Sequence, residues 1–216
     1  MISHVFKKAE EANIGEVIVA AEDKAIVDDV KQNGGRAVLT HDKHKTGTDR
    51  IHEVLQKIDI SKIDFIMNLQ GDEPLMNIDD IRNLNNKMRE NNFELGTLGS
   101  KIINKKIYQD QNVVKVITEE TLEKFNFSKA VNFERKILDQ KKNIYHHLGI
   151  YCFEKEIFKR FISFKQSPSE LKNNLEQLRA LDNGIKIHVA LAKSSPIGVD
   201  TQEDFVAIKK IMEYKS

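Results

Sequence analysis

Phe65-Ile66-Met67-Asn68-Leu69 runs straight into Gln70-Gly71-Asp72-Glu73-Pro74, and the reading of this stretch decides the fold. The first half reads as a strand. Gly71 to Pro74 cannot continue it. A helix follows from about Ile78 to Asn91. The same grammar holds upstream. Val17-Ile18-Val19-Ala20-Ala21 is a short apolar strand, followed by a helix with Ile26, Val27 and Val30 on one side that ends at Gly34-Gly35. Ala37-Val38-Leu39 is the next strand, and Thr48 reads as the N-cap of a helix carrying Ile51, Val54 and Leu55. The first dozen residues place Ile2, Val5, Phe6, Ala9 and Ala12 at helical spacing. Alternating strand and helix predicts an α/β, doubly wound, mostly parallel central sheet.

Downstream the pattern changes. From Leu95 to Phe153 it is strand-rich, with Val113 to Ile117, Phe125 to Phe127 and Ile144 to Phe153 as strands. The charged stretch from Glu134 to Asn143 reads as an exposed arm or loop. Helical spacing returns at Glu156 to Ile162 and at Leu171 to Leu181, with Gly184 placed as a helix C-terminal glycine. Ile185 to Leu191 is a strand, and Thr201-Gln202-Glu203-Asp204 resembles a capping box that opens a helix with Phe205, Ile208 and Met212. No repeat or low-complexity tract divides the chain. Residues 1–216 read as one domain with a strand-rich insertion.

Composition narrows the function classes. A chain of 216 residues, 40% apolar and 31% charged, is long enough to bury a sheet between helices and is globular in character. Its formal net charge of +1 supplies no global basic field, which disfavours nucleic acid as a partner. Cys152 is the only cysteine, so neither an intrachain disulfide nor a cysteine-based zinc site can form. No stretch reaches the roughly 18 apolar residues of a membrane span, and the expected compartment is the cytoplasm.

Ligands of open α/β sheets bind beyond the carboxyl ends of the parallel strands. Asp72 follows one such strand, and Asp200 follows Pro196-Ile197-Gly198-Val199. Mg²⁺ is a hard cation that takes one or two carboxylates together with substrate phosphates. Two aspartates at strand ends therefore suit nucleoside-triphosphate chemistry, although either alone reads more readily as a loop residue or helix cap. His41, His44 and His52 are irregularly spaced in a loop setting and read as solvated side chains, not as a metal cluster.

Five segments stand in order: Thr46-Gly47-Thr48-Asp49-Arg50, Asn68 to Pro74, His147-Leu148-Gly149-Ile150-Tyr151, Leu175-Glu176-Gln177-Leu178-Arg179, and Gly198-Val199-Asp200-Thr201. Together they resemble the 3-deoxy-manno-octulosonate (Kdo) cytidylyltransferases, or CMP-Kdo synthetases, from Met1 to the C-terminal helix. The resemblance implies a nucleotide-diphospho-sugar transferase-like fold with a strand-rich dimerisation arm, and a homodimer. It implies transfer of CMP from CTP to Kdo or its 8-amino analogue, with release of pyrophosphate, for lipopolysaccharide biosynthesis. It places Mg²⁺ on Asp72 and Asp200, the nucleotide base near Gly47 and Thr48, and the sugar acid near Gln70, His147, Tyr151, Glu176 and Gln177. Such residue types suit a hydroxyl-rich sugar, which needs paired donors and acceptors. Each also has a plainer reading: His147 or Tyr151 packed in the core, Glu176 and Gln177 solvated on a helix, Gly47 serving a turn, Arg179 a structural partner.

Three departures from the family pattern stand out. The family opens with a strand and a glycine-bearing, Arg/Lys-containing loop that would precede the helix at Met1. On that ground we expect a gap in the sheet, an apolar groove beside Val17 to Ala21 and weak triphosphate binding by the chain as given. Ala21-Glu22 stands in place of Thr-Asp. Ser128-Lys129 stands in place of Ser-Arg, keeping the charge but losing the bidentate fork, which leaves Kdo and 8-amino-Kdo both open. The alternatives are a non-catalytic relative that binds nucleotide or sugar acid, and a CMP-sialate synthetase. The Leu175–Arg179 and Gly198–Thr201 motifs argue against the latter.

Overall fold

The computed structural model describes residues 2–124, 126–137, 142–195, 206 and 208–210. The first half runs α1 (Ile2–Ala12), β1 (Val19–Ala21), α2 (Lys24–Gln32), β2 (Ala37–Leu39), α3 (Gly47–Leu55), β3 (Phe65–Leu69) and α4 (Ile78–Asn91). The second runs β4 (Leu95–Ser100), β5 (Lys115–Thr118), β6 (Phe127–Glu134), β7 (Ile144–Glu154), α5 (Lys155–Ser163), α6 (Pro168–Asn173), α7 (Gln177–Asp182) and β8 (Ile187–Leu191). Residues 206 and 208–210 are helical, whereas the predicted capping box at Thr201 lies outside the described residues.

The α/β alternation is present, but the ladders are not mostly parallel. A six-stranded sheet has the order β3-β7-β4-β8-β6-β5, with a further β7–β5 pairing. Among the described residues only β4–β8 in this sheet, and β1–β2 outside it, pair in parallel. β3, β4 and β8 share one direction, as the crossover helices require. β7 enters antiparallel between β3 and β4 after the strand-rich stretch, and separates strands that consecutive crossovers would have made neighbours. Burial on both faces gives a strand an apolar pattern whatever its partner's direction, so composition alone could not reveal this.

Nor does the strand-rich stretch stand off as an arm among the described residues. β6 pairs with β8 along Phe127 to Lys129, and β5 pairs with β7 along Lys115 to Ile117. Arg135, within the stretch read as exposed, donates to the carbonyls of Gln111, Asn173 and Asn174, and Ile137 is buried. Residues 138–141 of that stretch lie outside the description.

β1 and β2 form a separate parallel pair, and no ladder among the described residues joins them to the larger sheet. That matches the expected interruption. Of the stretch expected to line an open apolar groove, Val19 and Ala21 are buried in a cluster with Phe6 of α1 and Val27 and Val30 of α2, whereas Val17, Ile18 and Ala20 are half-buried.

The larger sheet is packed on both faces. Ile66, Leu95, Tyr151 and Phe153 face Phe158 and Phe161 of α5 and Leu178 of α7. Leu98, Leu148, Ile150 and Cys152 face Ile81, Leu84 and Met88 of α4 and Ala12 of α1. Two helix boundaries differ from the sequence reading. Thr46, not Thr48, caps α3, its hydroxyl accepting from Asp49 N at 3.2 Å. The single helix expected over Leu171 to Leu181 is two, α6 and α7, divided at Asn174, whose φ of 51° is left-handed. Gly184 does end α7, with φ of 74° and the Ile185 N–H reaching back to Ala180 O at 2.9 Å.

Candidate active site

The site is built where β3 gives way to the Gln70–Pro74 loop and where β7 passes beside it. Asn68 is a polar interruption in an apolar strand. It is buried opposite Tyr151 in the β3–β7 register and donates from Nδ2 to Thr48 Oγ1 at 3.3 Å. Thr48 is 0% exposed. Its hydroxyl is taken up between Asn68 and Glu176, so the side chain works inside the protein. Gly47 precedes it, with Asn68 Nδ2 3.7 Å from where a Cβ would sit.

Glu176, at the start of α7, accepts hydrogen bonds from the hydroxyls of Thr48 and Thr46. Its carboxyl lies above the ordinary value, chiefly because of burial, with the threonines and Arg179 opposing. Gln177 beside it is buried at the first position of α7. Arg179 is fixed by Glu170 and Asp49, as a structural partner.

Tyr151 lies at the centre. Its ring centroid is 5.4 Å from that of His147. Its hydroxyl is pushed far above the ordinary value, first by burial and then by the carboxylates of Glu176 and Glu73. His147 Nε2 is 3.0 Å from Thr97 Oγ1, which also lies 2.7 Å from Ile150 O. A hydroxyl has one proton, and the shorter contact to a pure acceptor takes it. His147 therefore carries its proton on Nε2 and keeps Nδ1 as an acceptor. Burial, then the neighbouring His146, lowers its pKa to about 3, so the ring is neutral.

The Gln70–Pro74 loop is tied to β7 at Gly149, whose N–H donates to Glu73 Oε1 at 2.8 Å. A Cβ at Gly149 would sit 2.9 Å from Gln70 Oε1 and 3.0 Å from Glu73 Oε1, so the loop closes down on bare backbone. Asp72 stands between these residues and is partly exposed. Gln70, His147, Tyr151 and Glu176 are thus brought into one polar cluster at the end of β3, beside Asp72. Asp200 lies outside the described residues. The stem leading toward it is held by Asp80, whose carboxylate accepts from Lys193 N at 2.9 Å and 3.1 Å, while His146 Nδ1 meets Ser195 Oγ at 2.9 Å.

Sequence reasoning missed Asn68, Glu73, Thr97 and Asp80. A polar residue inside an apolar strand was the available signal for Asn68. Thr97 and Asp80 carried none, because their partners lie some fifty and more than a hundred residues away. Of the histidines read as solvated, His41 is exposed, whereas His44 pairs with Glu53 at 2.5 Å and His52 lies half-buried beside the Phe158 ring. Among the described residues no group of three or more metal-type side chains converges. Asp72, half-buried at the end of β3, is a hard oxygen ligand of the kind Mg²⁺ takes alongside phosphates. A cleft of about 780 Å³ lined in part by Asn132, Phe133, Arg135, Leu178 and Asp182 adjoins the cluster through Phe133. The Phe133 ring meets His147 edge-on at 5.0 Å.

Known proteins resemble this chain in sequence and fold. The family profile described as cytidylyltransferase matches residues 1–187. The 3-deoxy-manno-octulosonate cytidylyltransferase of Bartonella tribocorum is 37% identical over 214 residues, covering 98% of this chain and 87% of the relative. That of Thermodesulfovibrio yellowstonii is 37% identical over 223 residues, covering 98% and 88%. The solved structure of a CMP:2-keto-3-deoxy-manno-octonic acid synthetase complexed with CTP superposes with a TM-score of 0.87 at 30% identity, covering 100% of this chain and 88% of that one. A UDP-glucose pyrophosphorylase at 13% identity and TM-score 0.70 shares the fold. The chain belongs to the cytidylyltransferase family, among its 3-deoxy-manno-octulosonate cytidylyltransferases.

Proposed function

We propose that this chain transfers CMP from CTP to a Kdo-type sugar acid, giving a CMP-sugar and pyrophosphate. The carrying observation is the identity to named Kdo cytidylyltransferases over 98% of the chain. The cluster at the end of β3 supplies the chemistry. The anomeric hydroxyl of the sugar attacks the α-phosphate of CTP in line, and pyrophosphate leaves. Gln70, Glu176 and Gln177 orient the sugar hydroxyls. Neutral His147 offers Nδ1 as an acceptor, and Tyr151 shapes the wall between them. Gly47 and Thr48, at the start of α3, place the segment that meets the base. Asp72, with Asp200, would hold Mg²⁺, which when bound supplies charge neutralisation to the phosphates. The protein's share is positioning and electrostatics, so no covalent nucleophile is assigned.

Pyrophosphate release from CTP plus Kdo tests the reading. Asp72→Asn should lower turnover by about a hundredfold or more while the circular dichroism spectrum is unchanged. CTP binding without pyrophosphate release would favour the non-catalytic alternative. Competition between Kdo and 8-amino-Kdo settles the sugar. The reading further includes a homodimer, for which the half-exposed Val131 of β6, at 56%, offers an apolar contact. Light scattering should give twice the chain mass. The enzyme would act in the cytoplasm, where CTP is available.

A further inference from the structure

β7 carries an irregularity between His147 and Tyr151. Tyr151 pairs with Thr97 and Leu148 with Leu98, so Gly149 and Ile150 have no partner on β4. A bulge of this kind frees backbone groups that a regular ladder would have satisfied, and buried groups of that type need other partners. Side chains answer both needs here. Glu73 Oε1 accepts the Gly149 N–H at 2.8 Å, and Thr97 Oγ1 donates to Ile150 O at 2.7 Å. The same Thr97 hydroxyl holds His147 Nε2 at 3.0 Å. Glu73 immediately follows Asp72 in the loop, and its charge acts on Tyr151.

We propose that Glu73 and Thr97 are positioning residues that lock the Gly149–Ile150 bulge, and so fix His147 and Tyr151 against the loop that carries Asp72. The inference rests on the proposed sugar-acid site and deepens it. The loop that presents the metal-binding carboxylate and the strand that presents the sugar-binding face are one mechanical unit. A shift of β7 misplaces the sugar relative to the α-phosphate without touching the nucleotide.

The role is hydrogen bonding at Glu73 and at Thr97, which separates the variants. Glu73→Gln keeps an acceptor and Thr97→Ser keeps the hydroxyl, so both should stay within about threefold of wild type in KM for the sugar acid. Glu73→Ala and Thr97→Val should raise that KM about tenfold or more, because misplacement by an ångström is costly. The Kd for CTP, measured by calorimetry without turnover, should change less than about twofold. Gly149 amide exchange should quicken in Glu73→Ala and not in Glu73→Gln. Thr97→Val, which breaks the other half of the lock at Ile150 O, serves if Glu73→Ala does not fold. Unchanged sugar KM in the Ala and Val variants, or equal damage to CTP binding, overturns the positioning role alone. A wild-type chain that releases no pyrophosphate overturns the functional reading and this role with it.

Discussion

Arg179 and Glu170 meet fork to fork: Nε lies 2.9 Å from Oε2 and Nη2 lies 2.6 Å from Oε1, with the arginine 2% exposed. Asp49 adds a contact at 3.5 Å to Nη1, and the guanidinium lies 4.7 Å from the Phe161 ring centroid. α3, α5, α6 and α7 are thereby fastened around one cation, and the start of α7, with Glu176, is set against the start of α3. Burial by itself raises the Glu170 carboxyl, but hydrogen bonds from Arg179, Gln166 and Ser167 overcome it and hold it below the ordinary range.

The first prediction follows. Glu170→Ala strands a buried guanidinium and should cost about 3–5 kcal/mol in urea unfolding. Replacing both partners, with Glu170→Leu and Arg179→Met, should cost less than that single change. Because the folded carboxyl titrates below its unfolded value, the pair's contribution is present above pH 4.5 and is lost as pH falls through the folded value. A double variant weaker than Glu170→Ala would contradict this.

His147 gives a pH prediction of the opposite cause. Its folded pKa of about 3 lies below the ordinary 6.5, so the unfolded chain takes the proton first. Above pH 6.5 both states are neutral and the residue contributes no pH dependence. Between 6.5 and 3 the unfolded state is favoured progressively as pH falls. His147→Gln should remove that part of the acid sensitivity, visible as a flatter Tm against pH. Parallel Tm curves for the two proteins would show that the ring is not held neutral.

Asp80 is 1% exposed and accepts from Lys193 N and from Ser194 N and Oγ. Asp80→Ala removes these charge-assisted bonds from part-buried amides, at a cost of about 1.5–3 kcal/mol. Asp80→Asn, which keeps one acceptor, should cost less. Equal losses for both substitutions, measured by chemical unfolding, would mean that charge and not hydrogen bonding fastens the segment.

Gln177→Ala should raise the KM for the sugar acid about tenfold and leave that for CTP within about twofold, since it removes contacts to hydroxyls only. Steady-state kinetics with each substrate varied in turn provides the comparison. Equal changes in both would assign the residue to the packing of α7.

The sequence by itself determined the strand–loop–helix unit at Phe65 to Asn91, a strand read from Ile185 to Leu191 that begins at Ile187, and the short helix ends at Gly34 and Gly184, because each is written in contiguous residues. It also marked Gln70, Asp72, His147, Tyr151, Glu176 and Gln177 through ordered motifs. Only the tertiary structure decided that β7 runs antiparallel between β3 and β4, since an apolar strand records its burial and not its neighbour's direction. Only it could join Glu73 to Gly149, Thr97 to His147 and Asp80 to Lys193, contacts that bridge fifty to more than a hundred residues. Such contacts leave no local pattern, because a buried carboxylate or hydroxyl looks the same in sequence as an exposed one until the chain has folded around it.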